Sequence, residues 1–380
     1  MKTFYPNLAI FTFKPKNDMF TQKILLLFIV SLLSCNVEQK AVSKGEYLTG
    51  GRVEKKGDAV ILISPASFVS FAFKGDRCTI NLKAEDTFEH HNYAVVEIDG
   101  KYEGRYTIKT AATPLSFKLD TNKEHTVTIY KATEAANGNV LFLGTNVAMA
   151  KPKVQPKKKI EFIGDSITCG MGNDYAVIPC DTAEWYDQHN AYYAYGPVAC
   201  RELNADFLLS SVSGIGMYRN WNDEHDKEAI MPDVYEKLYL NKDNSKKYGF
   251  GFNPDITCIA LGTNDFSEGD GKKERLPFNE DKYVANYIAF VKTVYKHAPN
   301  TQVVLLNSPM VSGAKNDTFI KCLNRVREAF ASDTTRKPIQ IFTFTAVTPH
   351  GCGYHPDIDD HKKMAGQLAP FLKTLLNEKK

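Results

Sequence analysis

Across residues 49–150 the apolar positions come in short bursts separated by turn residues, and several bursts alternate with a period of two. The runs at 59–63, 67–73, 78–82, 93–98, 115–119 and 125–130 predict β-strands, because alternation puts one set of side chains on a buried face and the other in solvent. Asp99-Gly100 and Asn137-Gly138 fall between runs and suit tight turns. This succession predicts a jelly-roll-like β-sandwich over 49–150. The segment 151–159, rich in lysine and proline, reads as a linker. From 160 onward the rhythm changes. Apolar runs at 160–163, 207–212, 256–261 and 302–306 are nearly continuous, as in strands buried on both faces. Helical spacing follows over 190–203, 282–297, 317–332 and 360–377. Strands alternating with helices predict a doubly wound α/β domain over 160–380, with a parallel sheet and its ligand site at the carboxyl ends of the strands.

The amino terminus differs from the rest. Lys23 precedes an apolar run over 24–30, too short for the roughly 20 apolar residues of a membrane-spanning helix. It suits the core of an export signal, so residues 1–35 read as a signal peptide, with Met19 as a candidate start. Leu32-Leu33-Ser34-Cys35 resembles a bacterial lipoprotein box, which implies cleavage before Cys35 and a lipid anchor on its thiol. An ordinary signal peptide with a cysteine at its end is the alternative. Residues 36–48 are small and polar and read as a tether. These features predict an exported protein of the cell envelope that meets the membrane only through lipid.

The balance of 47 Lys and Arg against 44 Asp and Glu leaves a net charge of +3 with no basic stripe, which argues against a nucleic-acid partner. Besides Cys35, the cysteines at 78, 169, 180, 200, 258, 322 and 352 are scattered and do not read as a disulfide framework. Most are expected as small core residues. Neither a CxxC pair nor HExxH is present, so no metal and no cofactor are expected.

Candidate chemistry lies at the strand ends. Gly164-Asp165-Ser166-Ile167-Thr168 follows the first predicted parallel strand, Ser213-Gly214-Ile215-Gly216 the second, and Gly262-Thr263-Asn264-Asp265 the third, while His355-Pro356 precedes the last helix. A serine hydroxyl needs a base to take its proton as it attacks an ester, and the oxyanion that forms needs hydrogen-bond donors. Together the four blocks resemble those of the SGNH hydrolase superfamily. The resemblance implies Ser166 as nucleophile, His355 as base, and an oxyanion hole of the Ser166 and Gly214 backbone N–H groups with the Asn264 side chain, Gly216 being the lesser substitute for Gly214. Many members carry an aspartate three residues before the histidine, where this chain has Cys352. Either a backbone carbonyl orients His355, the favoured reading, or an acid such as Asp357 or Asp359 does.

The sandwich joined directly to such a domain resembles carbohydrate esterase family two, which implies removal of acetyl groups from acetylated polysaccharide or oligosaccharide. Supporting stretches lie at 166–170, 213–220 and 351–356. A lipid or thioester substrate, or glycan binding without catalysis, is the competing reading. Sugar rings stack on aromatic faces. Both tryptophans of the chain, Trp185 and Trp221, lie in the loops after the first two blocks beside Tyr218, and these three are the candidate substrate contacts, Trp221 foremost. Asp165 is expected to stabilise a turn, Asp265 to anchor its own loop, and His361 to be solvated or capping.

Overall fold

The computed structural model describes residues 45–85, 90–153, 155 and 157–377. The expected signal peptide, the Cys35 anchor and most of the expected tether lie outside the described residues. The first elements are β1 (Leu48–Gly50), β2 (Val53–Lys56), β3 (Ala59–Leu62), β4 (Phe68–Glu85), β5 (His91–Ile98), β6 (Lys101–Lys109), β7 (Thr113–Lys131) and β8 (Asn139–Thr145). They form one antiparallel sheet in the order β2-β3-β8-β4-β7-β5-β6, with β1 on β4. Strands β4 and β7 belong to both halves of it: the amino-terminal part of β4 pairs with β1 and its far part with β8, while β7 carries β5 on its second half. The sheet thus closes over a shared apolar core that includes Val60, Phe71, Ile80, Leu82, Val96, Ile129 and Phe142.

Four of the expected strands therefore merge into two. The turn-like residues around Gly75 do not reverse the chain; they shift the β4–β7 register between Gly75 and Arg77, as a bulge does. Asp99-Gly100 does reverse it. Both residues are left-handed, φ 53° and 76°, which matches the twist of the β5–β6 hairpin.

A second, wholly parallel sheet contains β9 (Lys159–Gly164), β10 (Asp206–Ser211), β11 (Ile256–Ala260), β12 (Gln302–Leu306) and β13 (Gln340–Phe342), in the order β10-β9-β11-β12-β13. The edge strand β13 is absent from the sequence-based expectation, since three half-buried residues make too short a pattern. Its helices are α1 (Ser166–Cys169), α2 (Tyr195–Glu202), α3 (Met231–Val234), α4 (Thr263–Phe266), α5 (Glu280–His297), α6 (Gly313–Glu328) and α7 (Ile358–Asn377). Residues alternate across the sheet: Ile163, Ile259 and Leu305 pack with Tyr283 and Phe290 of α5 and Phe319 of α6, while Phe162, Cys258 and Val304 pack with Tyr195 of α2 and Met364 and Leu368 of α7. Because β9 is followed in sequence by β10 on one side and flanked by β11 on the other, the order reverses at β9. A crevice opens at such a switch point, beyond the carboxyl end of the strand. Among the described residues no helix is long and apolar enough to cross a membrane.

The antiparallel and parallel sheets belong to one compact body. Arg52, fully buried, leaves the sandwich to donate to the carbonyls of Lys237 and Tyr235 at 2.7 and 2.9 Å and to Ser210 Oγ at 3.2 Å.

Candidate active site

Strand β9 ends at Gly164, where a Cβ would lie 2.1 Å from Thr168 Oγ1, so only glycine lets the chain turn this sharply into α1. Asp165 caps that turn by accepting from Ile167 N at 3.0 Å. Ser166 opens the helix with its Oγ 2.7 Å from His355 Nε2. The other ring nitrogen, Nδ1, lies 2.7 Å from the Gly353 carbonyl, which can only accept. Nδ1 is therefore the protonated nitrogen, and Nε2 turns its lone pair toward the serine hydroxyl. Burial holds the imidazole below the ordinary histidine range, with the Gly353 carbonyl opposing that shift.

Backbone geometry rather than an acid sets this arrangement. Gly353 and Tyr354 are both left-handed, with φ near 60°, which folds the chain so that a carbonyl two residues back meets the histidine ring. Cys352 N donates to Gly172 O at 2.8 Å and Ile358 N to Asn173 O at 3.1 Å, tying this loop to the segment after α1. A disulfide from Cys180 to Cys352 closes the same contact, although the scatter of the cysteines does not read as a disulfide framework; the two are 172 residues apart, and no spacing signals them. Cysteines 78, 169, 200, 258 and 322 are free and buried. Asp357 accepts from Asp360 N and Asp359 pairs with Lys362, so neither acid is a partner of the His355 ring.

Gly214 sits after β10 in a left-handed conformation, φ 74°, and its carbonyl accepts from Trp221 N at 2.9 Å. The Gly216 N–H is committed to Asn220 Oδ1 at 3.0 Å and cannot serve a substrate without breaking that bond. Asn264, at the start of α4, donates from Nδ2 to Ile215 O at 2.8 Å, which orients its amide against the Gly214 turn. Asp265 anchors a different loop from its own: its carboxylate accepts from the backbone N–H groups of Met217, Tyr218 and Arg219.

Trp221 and Trp185 are 46% and 41% exposed, as substrate contacts need to be. Tyr218 is not. Its ring is 3% exposed, packs on Phe278 and Tyr283 and accepts Asn279 N at its hydroxyl, because the Asp265 cradle turns that stretch of loop inward. The expectation for His361 also fails. It is fully buried, accepting from Tyr195 N at Nδ1, and burial pushes it down to about 3, so it is neutral and part of the α2–α7 contact.

Sequence reading missed Glu134 and His189. Glu134, in the β7–β8 connection of the sandwich, is fully buried and accepts from Ser213 N at 2.6 Å. His189 lies beneath Trp185, ring centroids 4.9 Å apart. Nothing local marks either residue. Among the described residues one group, His350, Asp357 and Asp360, brings possible metal ligands within 4.8 Å of one another. Its central carboxylate, Asp360, already accepts from His350 N and pairs with His350 Nδ1 and Lys363, which reads as an anchor for the start of α7.

Known proteins agree with this architecture. Residues 49–156 match the carbohydrate esterase 2 N-terminal family and residues 162–349 the GDSL-like lipase/acylhydrolase family, a match that stops short of His355. An acetylxylan esterase / glucomannan deacetylase of Cellvibrio japonicus is 28% identical over 85% of this chain and 89% of its own. A second protein of that description and organism is 25% identical over 93% of this chain and 98% of its own. Among solved structures, a family two carbohydrate esterase from Clostridium thermocellum in complex with cellohexaose superposes with a TM-score of 0.76 at 23% identity, over 87% of this chain and 99% of that one. A family 2 enzyme with its carbohydrate-binding domain from Corynascus thermopiles gives 0.75 at 27%, over 88% and 100%.

Proposed function

We propose that this chain, similar over 162–349 to the GDSL-like lipase/acylhydrolase family and over 49–156 to the carbohydrate esterase 2 N-terminal family, hydrolyses O-acetyl esters on polysaccharides or oligosaccharides with Ser166 as nucleophile. The observation that carries this reading is the 2.7 Å contact of Ser166 Oγ with His355 Nε2, together with the Nδ1 bond to the Gly353 carbonyl that selects the tautomer. Ser166 Oγ attacks the acetyl carbonyl carbon as His355 Nε2 takes the hydroxyl proton. The carbonyl oxygen becomes an oxyanion, met by the N–H groups of Ser166 and Gly214 and by the second Asn264 amide hydrogen, donors worth about 3–4 kcal/mol each. Collapse breaks the bond to the sugar oxygen, which leaves with the proton from His355. Water, deprotonated by His355, then attacks the acetyl-serine carbonyl; collapse breaks the acyl–Oγ bond, His355 returns its proton to Ser166 Oγ, and acetate leaves. Trp221 and Trp185 offer the faces on which sugar rings stack.

The experiment is acetate release from acetylated sugars, with octanoyl esters as comparison. Ser166→Ala should lose at least roughly a thousandfold in kcat while staying folded, and Trp221→Ala should raise KM. Full activity in folded Ser166→Ala removes the nucleophile from this reading, and a preference for octanoyl over acetyl removes the carbohydrate ester. The Cys180–Cys352 disulfide supports placing the enzyme outside the cytoplasm, since such bonds persist in oxidising compartments. Recovery of the native protein from the cytoplasmic fraction in reduced form is the result against that placement.

A further inference from the structure

Glu134 belongs by sequence to the sandwich, yet its carboxylate lies inside the hydrolase site. The connection that carries it is fastened on both sides. Within the sandwich, Ala132 N donates to Tyr93 O and Thr133 Oγ1 to Asn92 Oδ1, while Lys131 Nζ donates to the carbonyls of Thr133 and Glu134. Toward the hydrolase, Ala132 O accepts from Ala191 N at 2.8 Å. The side chain then spans two elements. Oε2 takes the Ser213 N–H at 2.6 Å and lies 3.6 Å from the thiol of Cys169, at the end of α1. Cys169 also donates to Ser211 Oγ at 3.2 Å. One oxygen thus sits between the four-residue helix that begins at Ser166 and the turn that presents Gly214. The other oxygen, Oε1, faces His189 Nε2 at 3.7 Å, an ion-pair distance; neither atom has a hydrogen-bond partner among the described residues.

A carboxylate is costly to bury unless it works against fixed partners. Glu134 is ionised there: burial pushes its carboxyl up, but His189 and the Ser213 N–H outweigh burial and hold it below the usual carboxylate value. The other charged or titratable groups around this pair are Lys131, Arg105, the Cys169 thiol and His355. We propose that Glu134 is a positioning residue for ester hydrolysis, a carboxylate from the sandwich that holds the Ser213-Gly214 turn and α1 in the mutual register the oxyanion hole requires. This rests on the acetyl-esterase reading above.

The full-length Glu134→Gln and Glu134→Ala variants test it, with acetate release, thermal unfolding and the rate at which an organophosphonate labels Ser166. Glu134→Ala loses the acceptor and the charge, and about a hundredfold in kcat with KM within about twofold is expected, the effect of misplacing reacting groups by about an ångström. Glu134→Gln keeps an acceptor for Ser213 N and should recover part of kcat, with KM again within about twofold of wild type. Wild-type kcat in either folded variant overturns the proposal. If Glu134→Ala does not fold, the nearly isosteric Gln variant decides. Should the wild type release no acetate, the substrate reading fails by itself, and the phosphonate labelling rates still judge Glu134.

Discussion

At the scale of single residues, the His355 ring meets the Gly353 carbonyl rather than Asp357 or Asp359. A carbonyl accepts from Nδ1 and so fixes the same tautomer an acid would, but with no full charge it stabilises the imidazolium less. Burial adds to that effect, because it disfavours the charged ring and lowers its pKa from the usual 6.5. As the proposed base, His355 acts only when neutral, so a lowered value extends activity toward acid. The acidic limb of kcat/KM should have its midpoint below pH 6.5, lower than the rise between roughly pH 6 and 8 expected of an unperturbed histidine. A midpoint at or above pH 7, read from acetate release across pH, contradicts the burial seen here. The residues that sequence could nominate for chemistry were those in short blocks, Ser166, Gly214 and Asn264 at strand ends and His355 ahead of the last helix. Tyr218 could not be told from Trp221 in the same loop, because which side chain turns inward depends on Asp265, which lies beyond the next strand.

At the scale of elements, the loop carrying His355 has little regular structure and is held by its neighbours. Two backbone hydrogen bonds and the Cys180–Cys352 bond tie it to the segments that follow α1. A disulfide closing so long a loop stabilises by about 2–4 kcal/mol. Cys180→Ser is therefore expected to lower the unfolding midpoint by roughly 4–8 °C. It should also lower kcat more than it raises KM, since the loop then holds the Gly353 carbonyl and His355 less firmly. Scanning calorimetry beside acetate-release kinetics checks both, and a variant unchanged in kcat would confine the bond to a stabilising role. Strands were legible as apolar runs, but their continuity was not. The runs 67–73 and 78–82 join into β4 because its neighbours pair along its whole length and absorb Gly75 as a register shift.

At the scale of the whole molecule, the sandwich sends buried side chains into the parallel-sheet segment. Arg52 and Glu134 both enter it from sandwich segments, and Arg52 shares Ser210 Oγ with the buried carboxyl of Glu161. Removing one partner of a buried charged network leaves the other uncompensated, so Arg52→Ala should cost about 3–5 kcal/mol and lower the unfolding midpoint by roughly 5–15 °C. Replacing Glu161 with Leu as well should restore part of the loss. Calorimetry on the two variants measures it, and a single variant as stable as wild type contradicts this role for Arg52. Local periodicity and strand-end motifs were enough to establish two kinds of sheet, their order along the chain and the four blocks of the site, because each depends on residues near one another in sequence. Tertiary structure alone decided the rest: that Gly353 rather than an acid meets His355, that Cys180 reaches Cys352, that Tyr218 and His361 are buried, and that Glu134 crosses from one sheet's connection to the other's active site. These are contacts between segments far apart in the chain, and burial and hydrogen-bond partners are properties of the packed molecule, which no local pattern encodes.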